Sequence, residues 1–410
     1  MTATADVRMQ GFRKRSEVPA VLDWIDRHAQ SLPDEPVPVE VATGRVLARD
    51  VMASIDVPGF DRAAMDGFGL RGDETAGATD YNPIAFPVTS QVLPARPLER
   101  SVPQGEAVRI MTGAPVPDGV DAVVPAEFAV EAGGMIEITK PVAPGQHVAH
   151  RGEDVAAGAT VLSRGRRLRA QDVGLIASLG QAEVHVVRQP RVRLVTTGNE
   201  VVAPGHAKGL YDVFDANSYM LRGLVPRDGG LVAEALRLRD DPAAIREALT
   251  TPGADVILVS GGSSVGSEDH APRLVAEAGE LAIHGVAMRP SSPAGAGRIG
   301  SALVFLLPGN PVSCLCAYDF FAARAIRLLA GLPAQWPHRM RRATLSRKIA
   351  SAIGRVDYCR VRLAGDEAEP IALSGASILS STTRADGFVI VPAESEGAAP
   401  GSEVVVHLYD

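Results

Sequence analysis

The sequence predicts a multidomain α/β protein: a central doubly wound α/β domain, a β-rich module inserted ahead of it, and a β domain at the C-terminus. Three observations point there. Between 189 and 332, strand-like and helix-like segments alternate at the spacing of a mostly parallel sheet. From Leu70 to Gly145 the runs are short, β-like and punctuated by Pro and Gly. Beyond Pro333 they are again short strands. A chain of 410 residues, 46% hydrophobic and 22% charged, is ordinary globular material and too long for one compact core.

The first segment, "SEVPAVLDWIDRH", has apolar positions at helical spacing behind Ser16, which reads as the cap. A short strand and helix follow in "PVEVATGRVLARD", and "DVPGFDR" breaks them. These residues, 1–60, form the first part of an N-terminal domain that resumes over 146–188, where "RRLRAQDVGLIASLGQAEVHVV" is a helix and then a strand. The inserted module, 61–145, carries "IAFPVTSQVLP", "AVRIMTG", "DAVVPAEFAV" and "GMIEITKPV" as strands. Over 189–332, "RVRLVTTGNE", "LVAEALRLRDD", "ADVILVSGG", "LAIHGVAM" and "ALVFLLPGN" are strands. The helices between and after them are "DANSYMLRGLVPRDG", with a cap, "PAAIREALT", "HAPRLVAEAG" and "PVSCLCAYDFFAARAIRLLAG". Residues 333–410 hold the strands "RATLSRKIAS", "DYCRVRLAG", "FVIVP" and "SEVVVHLYD".

Composition excludes several classes. A formal net charge of −7 argues against non-specific nucleic-acid binding, and 4% aromatic residues leave no row of stacking platforms for bases. Three cysteines give no paired framework and suggest a reducing compartment. Cys314 and Cys316, in an apolar helical run, read as inert packing. No stretch reaches the roughly 18 apolar residues of a membrane span. The N-terminus has basic residues without an apolar stretch behind them, so a cytoplasmic protein is expected.

The odd chemistry sits at three strand ends. "LVTTGNE" ends at Glu200, "LVSGGSSVGSED" ends in a glycine-serine turn with Asp269, and "FLLPGNP" ends in a turn that opens a helix. Glycines at Gly261, Gly262 and Gly266 let backbone approach a bulky anion, and Ser263 and Ser264 can donate to its oxygens. Pro308, Gly309, Asn310 and Pro311 form the third turn. A carboxylate does not bind phosphate directly but can hold Mg²⁺ against it. Each turn alone could be a plain strand-to-helix connection. Three at one sheet edge favour an anion site. Asp66 in "AAMDGF", Thr112 in "IMTGAP" and Asp154 in "RGEDVAAG" lie in polar turns that, read singly, are solvated loops.

Seven segments in order, "PGFDRAAMDGF", "RIMTGAPVPDGVDAVVP", "RGEDVAAGATVL", "TTGNE", "RDDP", "SGGSSVGSEDH" and "LPGNPVS", resemble the signature series of the MoeA/gephyrin E-domain family, the molybdopterin molybdenumtransferases. The resemblance runs from Leu22 to the C-terminus. It implies a four-domain protomer, a homodimer and a molybdopterin-binding central domain. The implied activity is insertion of molybdate into adenylylated molybdopterin with Mg²⁺ assistance, releasing AMP, and a molybdopterin adenylyltransferase is the implied partner. By motif it carries functional roles onto Asp66, Thr112, Asp154, Glu200, Asp240, Asp269, Pro308 and Pro311. Glu200, Asp240 and Asp269 are assigned to Mg²⁺ and pyrophosphate, the glycine-serine turn to the pterin phosphate, and Asp66 and Thr112 to a cleft of the partner protomer.

One departure stands out. After "HGVAM" the family usually continues Lys-Pro-Gly, whereas this chain has "RPSSPAG". Ser291 replaces the glycine, and Ser292 stands where a second cation is frequent. Arg289, with Ser291, Ser292 and Ser377, is expected to serve a tetrahedral oxyanion, and Ser380 or Arg355 are substitutes. Alternatively, Arg289 pairs with a neighbouring acid and stiffens the loop. The alternative function is a non-catalytic scaffold or carrier of the cofactor.

Overall fold

Six strands build the central sheet, and their alternating apolar residues bury both of its faces. The computed structural model describes residues 15–263, 269–372 and 375–409. The strands are β1 (Arg191–Thr197), β2 (Leu231–Leu238), β3 (Val256–Ser260), β4 (Glu280–His284), β5 (Gly295–Ile299) and β6 (Ala302–Leu307). Their order is β2-β1-β3-β6-β5-β4. The first four are mutually parallel, and β5 and β4 form an antiparallel edge.

Val192, Leu194, Val256, Leu258 and Phe305 enter one core, while Val195, Ile257, Val259 and Val304 enter the other. The first core is covered by α1 (Val18–His28), α2 (Asn217–Arg227), α5 (Pro311–Ala317) and α6 (Ala323–Leu329), the last two joined by a π-helical turn. The second is covered by α3 (Pro242–Thr250) and α4 (Ala271–Ala278). Helices on both faces make the sheet doubly wound, as expected. Because β2 lies on one side of β1 and β3 on the other, the strand order reverses between β1 and β3. The crevice beyond their carboxyl ends is therefore where a ligand belongs.

Strands Met340–Leu345, Val356–Ala364, Glu367–Ala372, Gly387–Val391 and Glu403–Leu408 close into a small C-terminal barrel. Closure leaves no open ladder in the ring. The short strand Met288–Arg289 adds to it in parallel, with Arg289 opposite Asp357. This pairing carries the departing "RPSSPAG" loop to the barrel.

Two compact units emerge. One comprises the chain up to Glu35, Gly44–Ala48 and everything from His185 onward, and the other Pro36–Thr43 and Arg49–Val184. The second contains a six-stranded sheet, in the order Ala122–Pro125, Gly67–Leu70, Ala107–Ile110, Ile84–Val92, Met135–Ile138, Ala129–Ala132. It also holds the helix Ala170–Ser178.

Local details differ from expectation for identifiable reasons. Ser16 is not the cap of α1: Glu17 holds that position, no side chain caps it, and the Ser16 N–H goes to Gly285 O at 2.9 Å. The cap expected for α2 comes from Asp215, whose Oδ1 accepts the Ser218 N–H at 3.0 Å. Strand β5 was hidden by its glycines, which read as loop punctuation. They are required by the close approach of β4, because a Cβ on Gly297 would sit 2.2 Å from Glu280 O. All three cysteines are free and buried, and burial pushes the Cys314 thiol up to about 12. Among the described residues, no helix is long and apolar enough to cross a membrane.

Candidate active site

The three strand ends singled out from sequence belong to β1, β3 and β6, which are direct neighbours in the sheet. Their turns line one cavity of about 940 Å³. Close approach explains the glycines. A Cβ on Gly261 (φ 94°) would sit 2.3 Å from Thr197 O, and one on Gly262 2.9 Å from Thr197 Oγ1. Any other residue at 261 would be strained in backbone and would push the β3 turn off the end of β1. Asn217, the first residue of α2, ties two turns together by donating to Ser260 Oγ at 2.8 Å and to Gly309 O at 2.7 Å.

Glu200, Asp240 and Asp269 line this cavity together with Gly261, Gly262, Ser263, Pro308, Gly309, Asn310, Pro311 and Ser377. Asp240 is fixed by reciprocal bonds with Asn199: its Oδ2 accepts the Asn199 N–H at 3.0 Å, and its own N–H goes to Asn199 Oδ1 at 3.3 Å. Ser377 donates to Asn310 Oδ1 at 2.8 Å. Asp215, a fourth acid, is buried and paired with Arg237 at 3.2 Å. Ser264 and Gly266 lie outside the described residues.

Glu200, Asp240 and Asp269 share the cavity, but among the described residues no three carboxylate, histidine or cysteine groups come close enough to hold a metal ion by themselves. The donor set nevertheless fits Mg²⁺, which commonly takes one or two carboxylates and completes its shell with phosphate oxygens and water. The described lining contains four acids and no Lys or Arg. A polyanion could enter such a cavity only with a cation to offset that charge. A buried hydroxyl and a buried amide oxygen on its wall, Thr197 Oγ1 and Asn217 Oδ1, lack a hydrogen-bond partner among the described residues, and both can accept. They suit a ligand or water that brings hydrogens.

A second cavity of about 850 Å³ adjoins the first and shares Pro293, Pro308 and Asn310 with it. Its wall holds Arg289, Ser291, Ser292, Arg355 and Ala376. Here the structure corrects Ser291. The Ser291 hydroxyl donates to Ser313 O at 2.7 Å, so its hydrogen is not offered to a ligand. Its φ of 91° explains why glycine is usual there; serine is held in a left-handed conformation that costs about 1 kcal/mol. Ser292 Oγ is buried with no partner among the described residues and lines the cavity, as a donor to an oxyanion would.

Arg289 pairs with an acid, the alternative its neighbourhood offered. Its Nη2 contacts Asp357 Oδ2, and Asp357 is fully buried. The same carboxylate takes the Ser351 hydroxyl at 2.8 Å and faces Arg355 Nε at 3.1 Å. One buried acid thus lies against two guanidinium groups on the cavity wall, and the trio has a formal net charge of +1. Asp357 was missed in the sequence because it sits mid-strand among apolar residues, where only the three-dimensional register reveals its partners.

In the other unit, Asp66 and Thr112 stand at the ends of adjacent strands, where Gly67 faces Ile110. Asp66 Oδ1 accepts both the Thr112 N–H and its hydroxyl, each at 2.7 Å. Those two donors hold the Asp66 carboxyl below the ordinary carboxylate range, so it is ionised at neutral pH. Both side chains are exposed, as is Asp154, whose N–H goes to Val57 O at 3.0 Å.

Three family models match the chain in succession: the MoeA N-terminal region (domain I and II) over residues 16–180, a "probable molybdopterin binding domain" over 193–328 and the MoeA C-terminal region (domain IV) over 342–409. The chain is similar to molybdopterin molybdenumtransferase 2 of Mycobacterium tuberculosis, with 34% identity covering 90% of this chain and 94% of that one. It is 29% identical to the molybdopterin molybdenumtransferase of Staphylococcus aureus, covering 97% of both chains. Among solved structures it resembles the molybdopterin biosynthesis MoeA protein of Pyrococcus horikoshii OT3, with a TM-score of 0.79 and 32% identity, covering 97% of this chain and 100% of that one. Matches of this extent, in sequence and in fold, make the chain a member of the MoeA family of molybdopterin molybdenumtransferases.

Proposed function

We propose that this protein inserts molybdate into adenylylated molybdopterin and releases AMP. The observation that carries the reading is the pair of adjoining cavities of opposite character, one acidic and glycine-lined, the other holding two arginines over one buried acid. A substrate in which a pterin phosphate is joined to AMP, with an oxyanion brought beside it, needs both. Mg²⁺, when bound, neutralises phosphate oxygens and so eases cleavage of the phosphoanhydride.

The chain's own residues do the rest. One or two of Glu200, Asp240 and Asp269 would hold that ion from the acidic side, with phosphate oxygens and water completing its shell, and Gly261, Gly262 and Ser263 bring backbone and hydroxyl against the pterin phosphate. Asn310, on both cavity walls, fixes the boundary between the reacting parts. Arg289, Arg355 and Ser292 receive the molybdate. Three free, buried cysteines suit a reducing compartment, and we place the protein in the cytoplasm, supplied by a molybdopterin adenylyltransferase. Purified protein given adenylylated molybdopterin, Mg²⁺ and molybdate is expected to release AMP. Tight binding without release would identify a carrier instead.

The functional form is proposed to be a homodimer in which Asp66 and Thr112 of one chain complete the site of the other. What supports this is their ionised, exposed pairing in a unit separate from the cavities. Mixing Asp66→Ala with Asp269→Asn protein under conditions that exchange subunits should restore activity, because one composite site per mixed dimer is then unmutated. Exchange proven by labelled subunits, with no recovery, would mean each chain supplies its own site.

A further inference from the structure

Phe214 is the single aromatic residue on the described wall of the acidic cavity, and the ring is about half exposed, at 48%. Phe305, Phe388 and Tyr358 are packed inside, and of the exposed aromatics Phe60, Tyr81, Tyr211, Phe214 and Tyr219, Phe214 is the one that lines this cavity. Leaving a phenyl ring in water forfeits its burial energy, so a ring held at a cavity wall is placed for a ligand face. Backbone bonds fix its position. Val201–Val202 pairs in parallel with Val213–Phe214, the Val213 N–H goes to Glu200 O at 2.8 Å, and the Asp215 N–H goes to Val202 O at 2.9 Å.

The intervening loop is closed on itself and not across the cavity. Lys208 Nζ donates to Asp212 O at 2.6 Å, and the Gly209 N–H goes to Asp212 Oδ2 at 2.7 Å. Lys208 Nζ also lies 5.9 Å from the Phe214 ring centroid, and with Arg237, which pairs with Asp215, it brings positive charge near the acidic wall.

We infer that Phe214 is the platform on which the adenine of the substrate's AMP half stacks, and that it selects a nucleotide over a bare sugar phosphate. The inference rests on the activity proposed above. It assigns the base to Phe214 because the strand pair sets that residue two positions from Glu200 across the ladder, beside an acid that the proposed activity places at the phosphoanhydride. The opposite wall, Gly261 to Ser263 with Pro308 to Pro311, is aliphatic and polar and presents no ring. A base stacked on an aromatic ring needs no hydrogen-bond readout, so the recognition is of a flat heterocycle and tolerates different bases.

The test is calorimetric binding of AMP and of ribose 5-phosphate, with Mg²⁺, to the full-length protein and to Phe214→Ala and Phe214→Trp variants. Wild type should bind AMP more tightly than ribose 5-phosphate. Phe214→Ala should lose about tenfold for AMP, or about 1.4 kcal/mol, and less than twofold for ribose 5-phosphate, while Phe214→Trp keeps AMP affinity. Equal AMP affinity in wild type and Phe214→Ala overturns the stacking role and leaves the proposed activity standing. So does a parallel loss for both ligands, which would mark a disturbed phosphate site. With pterin-6-carboxylate titrated as a third ligand, a Phe214→Ala loss confined to it would assign the ring to the pterin half and overturn the stacking role too. Wild-type protein that binds neither AMP nor ribose 5-phosphate would instead count against the proposed activity itself.

Discussion

Asp269→Asn is expected to slow AMP release by at least about a hundredfold while leaving the thermal unfolding midpoint within a few degrees of wild type. Groups that merely orient metal ligands are already worth about 10–100-fold in affinity or activity, and Asp269 is assigned to the ion directly. Asparagine keeps the shape and one acceptor oxygen but removes the charge. Asp269 stands at the start of the chain leading into α4 and lines the cavity opposite the end of β1. On the proposed assignment its loss would leave Glu200 and Asp240 to bind Mg²⁺ with a weaker hold on the phosphates. Raising Mg²⁺ should therefore restore part of the rate. A wild-type rate in the folded variant would remove Asp269 from the metal side of the site.

Arg289→Ala is expected to raise the molybdate concentration for half-maximal insertion by at least tenfold, about 1.4 kcal/mol, with AMP affinity nearly unchanged. The reason lies in the charge count around Asp357. Arg289 and Arg355 together with that buried carboxylate carry +1, and deletion of Arg289 leaves a neutral Arg355–Asp357 pair. Arg15 and Glu17, also on this wall, cancel each other. A dianion then meets no net attraction. One charge at a few ångströms is worth about 4 kcal/mol at an effective dielectric near 20 before desolvation is subtracted, so a tenfold effect is a conservative share. Pairing with Asp357 does not by itself argue against the oxyanion role, because the same bond aims the guanidinium. An unchanged half-saturation point in stable Arg289→Ala protein would reduce Arg289 to a brace for the loop.

Much of this architecture was legible before the structure. Alternation along "RVRLVTTGNE", "ADVILVSGG" and "ALVFLLPGN" named the three strands whose turns form the cavity, because apolar runs ending in Gly, Ser or Pro leave little alternative. That these three are adjacent follows from the sheet order, which no local pattern specifies. Strand β5 escaped notice because its glycines serve close packing of β4, and local reading cannot tell that from a loop. Single residues fared worst where their partners are distant. Ser291 looked available, yet its hydroxyl turns inward to Ser313. Asn217 carries no signal in the sequence beyond its place at the start of α2, yet it straps two turns. Phe214 gave no periodic signal, since its significance lies in which cavity the short strand faces.

The most direct measurement is the amount of molybdenum transferred to pterin per AMP released, in one reaction of purified protein with adenylylated molybdopterin, Mg²⁺ and molybdate. A one-to-one ratio, with little AMP released when molybdate is omitted, is the predicted result. AMP released at full rate without any molybdenum entering the pterin, or substrate bound and returned intact, would contradict the proposal that this chain is the insertase.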